Sequence, residues 1–317
     1  MVMAGTDAAH LEEQSSDSRP LSPWIWLAIG VGAAVIGFLP WIITGMRLPL
    51  QNLWGTATPP DDMPIGLLPF SQYSITLIAG ILIVGAAGAG IVARSMRRRQ
   101  QRGGFVALIA GVLGVQVVAI AETSAVVGSG LRPGRESTIY LAAVVAVAVA
   151  SFAVGALVLF LVARAPRAGA LIGLAVAAIA SGWWLNALIV PAPAAVSETQ
   201  IAILGALHWM PAVLCGLAIA WCGIRSLGSI VAALATLVIL AIGPALATAV
   251  SSAAGSRALA RYPSEMADYG MQVFQQAVIS PELTLRPVVT AIVVAVVGLG
   301  IGAVLRRRKS AGIAAVR

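Results

Sequence analysis

Residues 73–121 read YSITLIAGILIVGAAGAGIVARSMRRRQQRGGFVALIAGVLGVQVVAIA. Two uncharged apolar runs, 73–93 and 103–121, flank five arginines: Arg94, Arg97, Arg98, Arg99 and Arg102. A helical span needs about 20 mostly apolar residues at 1.5 Å rise, and a charge at its centre costs about 2.5 to 3.5 kcal/mol on insertion scales. The stretch therefore reads as helix, arginine turn, helix, a membrane hairpin. Arginine clustered in a short loop marks the cytoplasmic side, so the hairpin is expected to enter from outside and return there.

The whole chain agrees with this reading. It is 59% hydrophobic and only 10% charged, with a mean hydropathy of +0.95, against about a quarter charged residues in soluble domains. The expected class is an integral membrane protein whose first partner is the lipid bilayer. The net charge of +8 resides mainly in arginines of short turns and at the C-terminus. These read as topology signals and contacts for anionic headgroups, and nucleic acid is not an expected partner. Lys309 is the one lysine, and the apolar positions are rich in Ala and Val, a bias expected of a GC-rich bacterial genome and hence of a bacterial cytoplasmic membrane. Cys215 and Cys222 sit about 10 Å apart along one apolar helix, too far to bridge each other, so core packing is expected.

Extended outward, the pattern gives an all-α fold of eight transmembrane helices arranged as repeated hairpins, both termini cytoplasmic. Residues 1–21 are acidic, lack an apolar run and read as a disordered cytoplasmic tail. The transmembrane domain, 22–309, holds spans at about 22–45, 73–93, 104–126, 139–163, 168–190, 200–223, 228–252 and 287–305, and 310–317 is a second cytoplasmic tail. External loops are expected at 46–72 and 256–286. The first carries too many prolines for regular structure and places Trp54 and the 65–68 run against the bilayer interface. In the second, Ser264 is expected to cap an amphipathic helix, with Met266, Tyr269, Val273 and Ala277 on one face and Pro281 at its end. Of the twenty basic residues, thirteen then fall in inside turns and the C-terminus and six in outside loops, with Arg19 in the N-terminal tail, as the positive-inside rule requires. The basic turns recur near residues 98, 166 and 226, a period of about 60 to 70 residues, and such repeats often frame a pathway between copies.

Polar groups inside spans are where function shows in a membrane protein. Glu122 lies about 27 Å along its helix from the arginine turn, at the outer edge of the hydrocarbon. Asn186 reaches the same depth in the second hairpin, Thr248 lies near it in the third, and His208 is about 12 Å into a helix descending from outside. With Gln116, Trp183 and Trp184, these residues outline a substrate or ion pocket in the outer half. There Glu122 would be the charge or proton site, His208 its titratable partner and Asn186 an orienting hydrogen bonder. The competing reading has Glu122 snorkelling to the interface, His208 and Asn186 bonding nearby backbone and the tryptophans forming an aromatic belt. Small residues at four-residue spacing, such as Gly30 and Ala34, Ser151 and Gly155, Gly169 and Gly173, and Gly298 and Gly302, permit close helix approach. Pro40, Pro211 and Pro244 fall inside spans and are expected to kink them.

No nucleotide-binding loop, zinc-protease motif, metal-spaced Cys/His cluster or nucleophile elbow is present, so no cofactor and no metal are expected. Three functions remain open. One is a transporter or channel-like permease subunit, working alone, with another membrane subunit or with a separate ATPase. The second is a non-catalytic assembly or scaffold factor that binds another membrane protein. The third is a lipid-substrate enzyme using Asp61, Asp62 or Glu122.

Overall fold

The computed structural model describes residues 20–191, 196–256 and 262–314. The acidic tail up to residue 19, and Arg257 and Arg261 of the second loop, lie outside the described residues. Within them the secondary structure is helical: α1 Pro23–Ile43, α2 Ile75–Ser95, α3 Gly104–Gly130, α4 Arg135–Arg164, α5 Arg167–Ile189, α6 Glu198–Leu207, α7 Met210–Cys222, α8 Leu227–Gly255, α9 Pro263–Ile279 and α10 Leu285–Ala314. Eight spans are long and apolar enough to cross a bilayer, α6 and α7 together making the sixth. The protein is a multi-pass membrane-type helical bundle.

Local signals explain where the helices start and stop. At Gly103, φ is +87°, a left-handed conformation that favours glycine, and it turns the chain from the arginines into α3. Capping boxes open α6, where Ser197 accepts from the Gln200 N–H, and α8, where Ser226 accepts from the Ser229 N–H. The sixth span breaks at His208 and Trp209, because Pro211 has no N–H to offer the carbonyl of Leu207. Helix α9 starts at Pro263 with Tyr262 before it, so the expected cap at Ser264 is displaced by two residues toward the N-terminus. Helix α10 continues through the basic run at 306–309 to Ala314 instead of ending near Leu305.

Packing does not follow chain order. Although the arginine turn joins α2 to α3, α2 packs chiefly on α4 and α1 chiefly on α3, while α2 and α3 meet little. The expected hairpins are therefore not the packing units. Reciprocal glycines explain the preference: a Cβ on Gly30 would run into the carbonyl of Leu108 on α3, and one on Gly111 would sit 2.5 Å from the carbonyl of Leu27 on α1. The same exchange joins α1 to α2, through Gly37 against Ile81 O and Gly85 against Ala33 O, and α2 to α4, through Gly90 against Leu159 O and Gly155 against Leu82 O. Without a hydrophobic drive between helices in lipid, close backbone approach of this kind is the main source of cohesion. These small-residue faces are thus occupied within the chain.

The first loop is part of this core. Leu48, Met63, Leu68 and Phe70 are buried among α1 to α4, and only Ile65 of the 65–68 run is largely exposed. Trp54 packs edge-on over Gly130, and the Arg132 N–H donates to the Leu53 carbonyl. The loop folds down into the end of the bundle, in place of the flat interfacial position its composition suggests. At the opposite end the Leu21 N–H donates to the Arg99 carbonyl (2.9 Å). There the Arg94 guanidinium donates to the carbonyls of Val162 and Ala165 (2.8 and 3.0 Å) and stacks 5.1 Å from the Trp221 ring centre. The bundle thus has an arginine end and a loop end.

Candidate functional site: a proline-lined cavity at the loop end

A cavity of about 620 Å³ opens where the tightly packed helices α1 and α2 meet the C-terminal helices. From α1 come Pro40, Trp41 and Thr44; Tyr73 and Ser74 precede α2, which adds Thr76 and Leu77. Helix α5 contributes Ile179, Gly182, Trp183, Asn186 and Ala187. The broken sixth span gives Leu204, Leu207, His208, Pro211 and Ala212; Leu240 and Pro244 face in from α8, and Leu283 and Pro287 from the start of α10. Depth follows from helix rise: Ile179 lies ten residues before the end of α5, about 15 Å, half the thickness of a bilayer core. Below it Ala175, Cys215 and Ala291, then Leu171, Ile219, Ala232 and Ala295, form a packed core toward the arginine end. The cavity is a half-open pit above this core.

Prolines give the pit its chemistry. A proline inside a helix leaves the carbonyl four residues earlier without a donor, and two such pairs line this one cavity: Leu207 with Pro211, and Leu240 with Pro244; Pro287 sits in the first turn of α10, where its missing N–H costs no helical bond. Irregular backbone of this kind is tolerated at membrane depth where it is buried in protein or lines a cavity. The rim is polar, with Thr44, Tyr73, Ser74 and Asn186; at the level of Ile179 and Leu240 the polar side chain is His208, whose ring meets Trp209 edge-on at 5.5 Å. No Asp, Glu, Lys or Arg lines the cavity among the described residues, nor does any group of three His, Cys, Asp or Glu side chains come together among them. The geometry suits a small organic molecule, for which pockets of about 300 to 1,000 Å³ are usual.

Of the residues singled out in the sequence, the cavity gathers Trp183, Asn186 and His208. The other four lie elsewhere, each with its own partner. The Glu122 carboxylate accepts from the Leu67 N–H and from the Thr123 hydroxyl, both at 3.0 Å, and Thr123 in turn accepts from the Leu68 N–H (2.9 Å). The adjacent pair Glu122 and Thr123 thus holds the first loop to α3. The Gln116 amide, fully buried, donates to the Leu82 carbonyl across to α2 (2.8 Å), and the Trp184 indole donates to the Gly37 carbonyl on α1 (2.8 Å). Thr248 is exposed and bonds back to the Pro244 carbonyl within its own helix. Asp61 and Asp62 sit on an exposed 3-10 turn, Pro60–Asp62, away from any converging acid. The residues missed in the sequence, Thr44, Tyr73, Ser74 and Thr76, stand at helix ends and carried no signal beyond flanking an apolar run.

No family model, no curated protein and no solved structure matches this chain.

Proposed function

We propose that the protein is a transporter or permease subunit of a bacterial cytoplasmic membrane, with both termini inside, and that the loop-end cavity is its outward-facing binding site. The observation that carries this reading is a pit of about 620 Å³ that reaches mid-bundle and is lined by the break in the sixth span at Pro211 and by Pro244 inside α8. Discontinuous helices with freed backbone groups at mid-depth are how transporters build sites. In this reading Trp183, Asn186 and His208 contact the cargo, while Glu122 anchors the first loop and carries no proton. The packed layer of Leu171, Ile219, Ala232 and Ala295 is the inner gate. The scaffold alternative loses part of its support, because the small-residue faces at Gly30, Gly155 and Gly173 are filled inside the chain. The enzyme alternative lacks converging acids among the described residues.

Paired cysteine accessibility tests the reading. In a chain freed of native thiols (Cys215→Ala, Cys222→Ala), Ala187→Cys at the rim is expected to react with an impermeant thiol reagent added outside, and Ala232→Cys at the gate with the same reagent added inside. Labelling of Ala187→Cys with no turnover-dependent labelling of Ala232→Cys would reduce the cavity to a static binding site.

A further inference from the structure

Resting on that reading, we propose that the cargo class is an uncharged, hydroxyl- or amide-bearing lipophile, and that neither an ion nor a charged solute is carried in this pit. The walls set the first half of the argument. Trp183, Leu77, Ile179, Leu240 and the proline rings offer apolar surface, and with no charged side chain among the described lining residues an ionic ligand would shed its hydration shell without gaining a counter-charge. That penalty is several kcal/mol per ion in protein interiors. An uncharged lipophile leaves water at a gain.

The second half is the balance of donors and acceptors. Leu207 and Leu240 carry carbonyls freed by prolines four residues on. Freed carbonyls are acceptors only, so the complementary ligand brings donors, which hydroxyl and amide groups supply. The Asn186 side-chain amide has no hydrogen-bond partner among the described residues and can both donate and accept, as can the His208 imidazole. Carbonyl oxygens also bind Na⁺ in some transporters, but there the ion needs a closed shell of oxygens. Here Leu207 and Leu240 offer two freed carbonyls and no carboxylate lines the cavity among the described residues, which leaves too few oxygens to close such a shell.

The test is photolabelling of the intact chain in lipid nanodiscs with three diazirine probes of equal chain length: a primary alcohol, a carboxylate and a trimethylammonium. The alcohol is expected to give saturable adducts on α5 and α7, with the two charged probes weaker by at least about ten-fold, the equivalent of about 1.4 kcal/mol. Asn186→Ala should weaken the alcohol by several-fold, and Leu240→Trp should abolish its labelling. Should Leu240→Trp not fold, Ala187→Phe at the rim blocks the same volume. Equal or stronger labelling by a charged probe, labelling that requires Na⁺, or alcohol adducts unchanged by the blocking variants would each overturn the proposal. The two readings fail separately: if Ala187→Cys reacts from outside while a charged probe wins, the ligand class falls and the pocket stands, whereas an unreactive Ala187→Cys removes the pocket itself.

Discussion

The first four spans and the last four have nearly the same hydropathy, yet they pack differently. In α2, 56% of the most apolar window is buried, and in α10 only 11%. Helices α1 to α4 carry glycines that face backbone carbonyls of neighbours at three crossings, and the first loop drops Leu48, Met63, Leu68 and Phe70 into the same core. Among the described residues of the last four spans, the comparable contacts are Gly216 against Ala291 O and, facing back onto α4, Gly173 against Val158 O. These spans also carry Pro211, where α6 and α7 separate, and Pro244 inside the continuous helix α8. Hydropathy decides that a segment enters the bilayer; the placing of glycine and proline decides whether it becomes wall or site. The cavity lies on the seam between the two regimes, with a close-packed wall from α1 and α2 facing α5, the broken sixth span, α8 and the start of α10.

The largest expected effect breaks the packed half. Gly30→Leu drives a side chain into the Leu108 carbonyl, which the backbone cannot avoid, and should destabilise by at least about 3 kcal/mol, seen as lost folded yield or a collapsed melting temperature in detergent. Gly205→Leu in α6, where a side chain meets open space, should change stability by less than about 0.5 kcal/mol. Comparable losses at both positions would erase the contrast. Next comes the loop. Thr123→Val keeps the shape of a fully buried residue but strands the Leu68 N–H, an expected loss of about 1 to 3 kcal/mol, with faster proteolysis between residues 46 and 72.

Much of this architecture was legible in the sequence, and the reason is energetic. Charge in hydrocarbon is so unfavourable that Arg94 to Arg102, Arg164 and Arg167, and the basic run at 306–309 punctuate the spans without any knowledge of packing. Pro211 likewise announced the break in the sixth span. The site was legible only in part. Trp183, Asn186 and His208 stood out as polar or aromatic groups in apolar runs, but so did Glu122, and depth alone could not separate them. Glu122 meets a backbone N–H 55 positions away, a pairing that depends on how the first loop folds and leaves no periodic trace. Thr44, Tyr73 and Ser74 were hidden because polar residues at helix ends are ordinary.

Smaller effects sharpen the contrast further. Arg94→Met removes two hydrogen bonds to the end of α4 and the stacking on Trp221; because the group is partly solvated, the expected loss is about 1 kcal/mol, read as a modest fall in melting temperature. Glu122→Gln retains an oxygen for the Leu67 N–H, so stability should shift by less than about 1 kcal/mol and uptake should keep its pH profile. A lost pH dependence with the loop still protected from protease would restore Glu122 as a proton site.

The measurement that bears most directly on the account is the reactivity of Ala187→Cys, in the Cys215→Ala, Cys222→Ala chain, toward an impermeant thiol reagent in oriented membranes. An open pit at the loop end predicts labelling from the outer side only, slowed by an uncharged long-chain alcohol. No labelling from either side, or labelling from the arginine side, would contradict it.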